Sequence, residues 1–301
     1  VWRFDAAPRR RLMGAFGQLE SAWPVHGSVL VLDGPAEDGA KASGEGDDDD
    51  AVYFVAGRSS QLDGGMHLYA LDAATGRVLH HRTVAGPHYR ADEVEENYRL
   101  PMGALPDILM SDGEQIYMHQ YAFGRSLEPA RGKPALAPRA GFLDDAYFKR
   151  TPWRFEGSGD WGRLIVHDNR SVYYVRMFDS LQGLNPNVYF TPGAQGYLLF
   201  AREAGGKKRN WMERVPVRIR AMALAGGRLF VAGPPDVVDP RDPLGAFEGR
   251  KGGRLYVVDT ASGERLAEHA LASPPVFNGI AAARGRLFLA TEDGHLECFA
   301  K

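Results

Sequence analysis

The chain has 301 residues, of which 36 are basic and 38 are acidic, so its formal charge is −2. This near balance disfavours a dedicated binder of nucleic acid or of anionic membranes, because such proteins carry a surplus of basic residues. Hydrophobic residues make up 44% of the chain, which excludes wholesale disorder. No stretch approaches the ~18 consecutive apolar residues of a membrane-spanning helix.

The numbers of glycine, proline and cysteine residues narrow the possible fold class further. The 36 glycines and 19 prolines favour many tight turns and few long helices. The single cysteine, Cys298, excludes an intramolecular disulfide. Because Cys298 falls in an apolar strand pattern, we expect a buried structural thiol rather than a reactive one.

Two short phrases of sequence recur along the chain. The first is typical of a strand followed by a turn, and the second of a turn glycine followed by a strand. The first is His67-Leu-Tyr-Ala-Leu-Asp-Ala-Ala-Thr-Gly-Arg-Val, which returns as Leu255-Tyr-Val-Val-Asp-Thr-Ala-Ser-Gly-Glu. The second is Gly227-Arg-Leu-Phe-Val-Ala, which returns as Gly285-Arg-Leu-Phe-Leu-Ala. A repeated unit of this size cannot bury its apolar face alone, so neighbouring copies must stack. Four antiparallel strands with a polar outer strand describe a blade of a β-propeller.

The predicted fold class is therefore all-β, a β-propeller of four-stranded antiparallel blades in one domain over residues 1–301. Five blades are recognisable, in order along the chain at residues 17–86, 103–160, 161–217, 218–272 and 276–301. The outer strands of the second blade are unclear, since a long insertion follows its first two strands. The fifth blade lacks an outer strand, and residues 1–5 read as a strand that either closes this blade or ends a blade lost upstream.

The Leu-Tyr-Ala-Leu-Asp-Ala-Ala-Thr-Gly phrase that begins at Leu68 resembles the pyrroloquinoline-quinone-like (PQQ-like) repeat. That repeat belongs to quinoprotein dehydrogenases and to outer-membrane assembly lipoproteins. The stretch Trp23-Pro-Val-His-Gly-Ser also resembles propeller regions of planctomycete-type bacterial proteins. The resemblance implies a propeller of seven or eight blades, so we expect five blades to be part of a longer polypeptide. It also implies a periplasmic or other extracytoplasmic location.

Long connections are expected to cluster on one face of the propeller, where function usually resides. The turns within hairpins are short, whereas five connections are long: residues 58–66, 86–104, 122–146, 178–196 and 233–253. Polar residues in these connections or at blade entrances are the candidate ligand-binding residues. They are His26, Arg58, Asp63, Asp107, Asp144, Asp145 and Asn278. The same charged residues would equally suit ion pairs that hold the loops together.

The leading functional hypothesis is a non-catalytic binding or scaffold module whose long-loop face meets a polar ligand, such as a carbohydrate, or a protein partner. The alternative is an enzyme that acts on carbohydrate or alcohol at the centre of the same long-loop face, with Asp107 or Asp144 as acid or base. No metal-spaced motif occurs, so no metal site is predicted. Among the histidines His26 is the best metal-ligand candidate, but a hydrogen-bonded histidine in a turn is the commoner interpretation. No cofactor is predicted; quinone with calcium is the minority alternative, because the calcium ligands and paired cysteines expected beside it are not identifiable.

Overall fold

A computed structural model of the chain describes residues 2–15, 17–25, 29–33, 50–86, 109–118, 121–138, 153–176, 196–206 and 208–300. These ranges consist of strands, turns and bends, and they contain no helix that could cross a bilayer. The protein has an all-β, β-propeller fold built from antiparallel blades, which confirms the predicted fold class.

The chain divides into two compact units. Unit 1 holds the described residues up to Ala135, and unit 2 holds those from Leu136 onward. Unit 1 begins with a hairpin of β1 (Leu12–Ala15) and β2 (Gln18–Ser21). A four-stranded sheet follows, formed by β3 (Leu30–Asp33), β4 (Asp50–Ala56), β5 (Met66–Asp72) and β6 (Val78–Val84). The next is formed by β7 (Met110–Ser111), β8 (Gln115–Met118), β9 (Tyr121–Gly124) and β10 (Pro129–Ala130).

Unit 2 contains four sheets. The first has three strands, β11 (Leu136–Pro138), β12 (Trp153–Phe155) and β13 (Trp161–Gly162). Two four-stranded sheets follow. One is formed by β14 (Leu164–His167), β15 (Ser171–Arg176), β16 (Tyr197–Glu203) and β17 (Arg209–Val215). The other is formed by β18 (Ala221–Ala225), β19 (Arg228–Gly233), β20 (Gly253–Asp259) and β21 (Arg265–Leu271). The last has three strands, β22 (Pro275–Ala283), β23 (Arg286–Thr291) and β24 (Leu296–Phe299).

The ranges predicted for the first, third, fourth and fifth blades fall on the sheets β3–β6, β14–β17, β18–β21 and β22–β24. The second blade differs. Its outer strands are β9 and β10. All of β10 and all but the first residue of β9 lie inside the stretch 122–146 that the sequence suggested was one long connection. The rest of the predicted blade, up to residue 160, contributes β11 and β12 to a separate sheet. Strands β10, β11 and β12 have only two or three residues and are too short to show a period of two in the sequence.

The apolar faces of neighbouring sheets form the core within each unit. In unit 1, β4 and β5 pack against β8 and β9 through side chains such as Tyr53, Leu68 and Ile116. In unit 2, the third and fourth blades share a cluster that includes Leu199, Val231 and Tyr256. Stacked sheets of this kind bury what no single blade could bury alone.

Two indole rings each pack on a turn that joins the third and fourth strands of a four-stranded sheet. Trp211 of β17 donates a hydrogen bond from Nε1 to Thr260 O at 2.9 Å, and its ring lies on Gly263 of the next blade. Trp2 makes the equivalent contact in unit 1, with a 2.9 Å bond to Ala73 O and its ring on Gly76. A Cβ atom on either glycine would overlap the ring, so these close approaches require glycine.

The prediction for Cys298 is wrong, because the side chain is exposed. Cys298 lies on β24, which pairs with β23 on one side. Within the described residues the sheet has no strand on the other side of β24. Leu296 on the same strand is 68% exposed. An apolar strand pattern predicts burial only where a further strand or sheet covers it.

Candidate functional site

Three of the seven nominated ligand-binding residues lie in the described parts of the chain: Arg58, Asp63 and Asn278. The other four, His26, Asp107, Asp144 and Asp145, lie outside the described residues. The two carboxylates considered for acid–base chemistry are therefore both outside them. Binding of a ligand by any of the seven stays a prediction.

Arg58 and Asp63 lie in the β4–β5 connection and form an ion pair with each other. The second oxygen of the Asp63 carboxylate is 3.0 Å from the Arg11 guanidinium. Asp63 itself has a positive φ of 56°, and its side chain is 10% exposed. Because both carboxylate oxygens face guanidinium groups, Asp63 holds the connection in place, while Arg58 keeps 24% of its side chain exposed.

Asn278 lies in unit 2, in an irregular section of β22. The register of β22 against β23 shifts between Pro275 and Ile280, and Asn278 has a φ of 57°. Its backbone N–H donates to Arg220 O at 2.9 Å. Such a bulge redirects side chains that a regular strand would point elsewhere. The half-buried Asn278 side chain therefore sits beside the start of the neighbouring first strand.

Arg163, Arg220 and Phe277 lie near Asn278. We call these four residues the entrance set. Arg163 precedes β14 and places its guanidinium over the Phe277 ring at 5.4 Å from the centroid. Arg220 precedes β18, pairs with Glu292, and donates to Phe247 O at 2.9 Å. All four are partly exposed at the starts of adjacent first strands. The set favours anionic or carbonyl-bearing ligands, since it presents guanidinium and amide donors.

The β19–β20 loop, residues 234–252, is the most extensive described connection of unit 2. Three of its large apolar side chains are well exposed: Val237 at 46%, Val238 at 46% and Leu244 at 43%. Charged side chains surround them. Lys251 contacts Asp239 at 2.7 Å, and the Lys251 hydrogen bond lowers the pKa of the Asp239 carboxyl.

A buried ion pair anchors the base of this loop. The Arg218 and Asp236 side chains meet at 3.0 Å and are 5% and 0% exposed. Backbone hydrogen bonds reinforce the anchor: Asp236 N donates to Pro216 O, and Arg218 N donates to Pro234 O, each at 2.9 Å. The Arg218 guanidinium also lies 5.4 Å from the Phe247 ring centroid. The loop is thus held at its first residues by groups that water does not reach.

Sequence reasoning missed a second charged cluster in unit 2, centred on Asp160. The carboxylate meets Arg176 at 2.6 Å, Arg202 at 2.7 Å and Arg209 at 2.9 Å. Burial alone would raise the pKa of Asp160, but the Arg209 hydrogen bond and the three positive charges lower it overall. The sequence does contain a sign of buried charge, because Arg176 and Arg202 interrupt otherwise apolar strands. Their common partner could not be read from the sequence.

Within the ranges that the structure describes, no group of three or more His, Cys, Asp or Glu side chains is placed to hold a metal ion. His67 Nδ1 and His81 Nε2 lie 3.1 Å apart on β5 and β6 in unit 1, and no further metal-binding side chain in the described ranges joins them.

Known proteins resemble this chain in structure rather than in sequence. No protein-family model and no curated protein matches the sequence. BamB from Moraxella catarrhalis is 8% identical over 83% of this chain and 67% of its own, with a TM-score of 0.41. Kluyveromyces lactis Hsv2 is 10% identical over 83% and 70%, with a TM-score of 0.39. BBS1N, solved in complex with ARL6DN, is 10% identical over 90% and 63%, with a TM-score of 0.34. Likeness at this level concerns the fold alone.

Proposed function

We propose that this chain is a non-catalytic propeller module of the PQQ-like repeat class whose β19–β20 loop binds a protein partner. The observation that carries the proposal is a preformed loop that exposes apolar side chains inside a charged rim. Binding surfaces between proteins combine an apolar centre with a polar edge in this way.

The loop is preformed, because backbone turns and the buried Arg218–Asp236 pair fix its course. Arg250 contacts both oxygens of Asp242, at 3.0 Å and 2.5 Å, and it also pairs with Glu248. Backbone bonds form two turns, from Asp242 N to Asp239 O at 2.9 Å and from Glu248 N to Leu244 O at 2.8 Å. A preformed surface loses less conformational entropy on binding than a floppy one.

The exposed apolar side chains have no role in the core that would explain them. Val237, Val238 and Leu244 are each more than 40% exposed, although the loop around them is anchored by buried groups. Scattered exposed apolar residues are common on any protein. Here, three of them share one braced loop with the exposed charges of Asp239, Asp242 and Arg250. This combination supports a partner with an apolar patch and charges of both signs.

The experiment replaces Val238 with a photoreactive amino acid in cells of the source organism and identifies the crosslinked protein by mass spectrometry. Leu266 on β21 is the matched control site, since it is 47% exposed compared with 46% for Val238. The purified partner is then titrated against wild type and against Val238→Asp, Leu244→Asp and Leu266→Asp.

We expect crosslinking from position 238 and not from position 266. The substitutions Val238→Asp and Leu244→Asp should each weaken binding by at least about tenfold, as for central interface residues. Leu266→Asp should bind like wild type. Equal crosslinking from both positions, or unchanged affinity of both loop variants, would refute the proposal.

A further inference from the structure

A groove of about 550 Å³ lies between the last two sheets of unit 2. Phe230 and Val257 are register partners and line the wall formed by the β18–β21 sheet. Leu287 and Phe299 are register partners and line the wall formed by the β22–β24 sheet. The volume lies within the range of small-molecule sites, which are lined mainly by apolar side chains.

The groove offers a ligand apolar walls rather than ionic partners. The Arg228 guanidinium at one end is already paired with the Asp259 carboxylate, at 3.4 Å. Arg286 lies on the strand face of Phe288, which is opposite to the groove-lining face of Leu287. A charged group buried there without a partner would carry a large desolvation cost, so the groove favours neutral ligands.

The groove lies where the repeat lacks an indole ring. In the preceding blade, Ala201 of β16 is paired with Trp211 of β17, and the register shifts immediately afterwards. One blade later, Val257 of β20 is paired with Ala267 of β21, and the register shifts at the same point. Ala267 therefore occupies the place of Trp211 in the repeat.

The contacts of Trp211 show what this place does when a ring fills it. The indole is 9% exposed and belongs to the core between its own sheet and the next. Ala267 carries only a methyl group there, and its register partner Val257 lines the open groove. An apolar space left by the loss of a large side chain can take up a small aromatic molecule instead. The size of the missing side chain favours a planar ring system like that of indole.

We propose that this groove binds small neutral aromatic molecules. The ring packs between Val257 of one sheet and Leu287 and Phe299 of the other, beside Ala267. Phe230 lies near the first residue of β19, whereas the β19–β20 loop follows the last residue of that strand. The groove and the loop are therefore separate sites, and this proposal is independent of the proposed function.

The experiment titrates 3-methylindole, the analogue of a tryptophan side chain, into the full chain and follows backbone amide resonances by NMR. We expect saturable shifts with a Kd of about 1 mM or tighter, an affinity within reach of so small a ligand. The amides that shift should belong to β19, β20, β23 and β24. Amides of β16 should not shift, because Trp211 already fills the corresponding place there.

A charged ligand tests whether the walls select neutral molecules. Indole-3-acetate carries the same ring with a carboxylate, and at neutral pH it should bind at least about fivefold more weakly than 3-methylindole. Equal or tighter binding of indole-3-acetate would overturn the assignment of the groove to neutral molecules.

Two pairs of variants locate the ligand. Ala267→Trp should weaken 3-methylindole binding by at least about tenfold, since the new ring takes its place. Ala270→Trp is the matched control on the opposite face of β21 and should bind as wild type does. Phe299→Ala should weaken binding by roughly fivefold or more, whereas Phe288→Ala should leave it unchanged. Both phenylalanines are half-buried, but they lie on opposite faces of the β22–β24 sheet.

Absence of saturable shifts up to about 3 mM 3-methylindole would overturn the proposal. Shifts confined to amides of other sheets would do the same, and so would equal binding by the two members of either pair of variants. If Ala267→Trp does not fold, the contrast between Phe299→Ala and Phe288→Ala still decides the question.

Discussion

The Asp160 cluster offers the sharpest test of how unit 2 is held together, through the substitution Asp160→Asn. The change removes one negative charge and keeps the shape of the side chain. It leaves three guanidiniums facing an amide. Two of them, Arg176 and Arg202, have side chains that are only 8% exposed, so water cannot replace the carboxylate easily.

The magnitude follows from this burial. Removing one partner of a buried ion pair costs ~3–5 kcal/mol, whereas an exposed pair contributes ~0–1 kcal/mol. The side chain of Arg209 is 36% exposed, so its pair with Asp160 contributes nearly as little as an exposed pair. Since asparagine still accepts one hydrogen bond, we expect a loss of about 3 kcal/mol in the free energy of unfolding of unit 2.

The assay is urea denaturation followed by tryptophan fluorescence and circular dichroism. Asp239→Asn is the control, because that carboxylate and its partner Lys251 are 34% and 38% exposed. It should lose much less stability than Asp160→Asn, because exposed ion pairs are screened by water. A loss below ~1 kcal/mol for Asp160→Asn, equal to the control, would refute the reasoning that the carboxylate is what holds the three arginines.

The pH dependence supplies a second readout of the same substitution. The folded-state pKa of Asp160 lies below its ordinary value of 3.8. Its contribution to stability is therefore fully present above about pH 4 and disappears as the pH falls through the folded-state pKa. The stability difference between wild type and Asp160→Asn should shrink in acid and remain constant from pH 5 to pH 7.

Two further predictions concern a turn and a histidine pair. Gly263→Ala should cost about 2–4 kcal/mol in urea denaturation, because the new Cβ lies 2.6 Å from the Trp211 ring. Gly294→Ala, at a similar φ but in open space, should cost about 1 kcal/mol, and equal costs would contradict the role of the ring. Burial lowers the pKa of His67 and His81. Neutral rings thus add stability above pH 6.5 that is lost as the pH falls, and His81→Gln should reduce this loss in urea titrations at pH 5 and pH 7.

The hairpins could be predicted because their turns are encoded within a few residues. The Asp259 carboxylate accepts bonds from Ala261 N at 3.0 Å and from Ser262 N at 2.9 Å. In the first blade, Asp72 accepts bonds from the backbone N–H and the hydroxyl group of Thr75, each at 2.7 Å. Such a turn depends on its own sequence rather than on distant packing. The repeated phrase therefore predicts both the strands and the point at which the chain reverses.

The remaining parts could not be predicted because they depend on pairing between distant segments. Leu136 pairs with Phe155, and nothing in either short strand specifies the other. The exposure of Cys298 follows from which strand covers β24, a property that its own sequence does not contain. The Asp160 cluster likewise joins residues 160, 176, 202 and 209. The three arginines lie on the β14–β17 sheet, whereas Asp160 reaches them from the segment that precedes β13 of another sheet.

The docking of Trp211 on the next blade has a consequence for kinetics. Its bond to Thr260 spans 49 residues, whereas the turn it rests on is closed by bonds between near neighbours. Local turns form before contacts that must first close a long loop. We therefore expect the indole contact to form after the folding barrier, so that it has little influence on how quickly the blades assemble. Contacts of this kind set the lifetime of the assembled state instead, because they must break before the blades can separate.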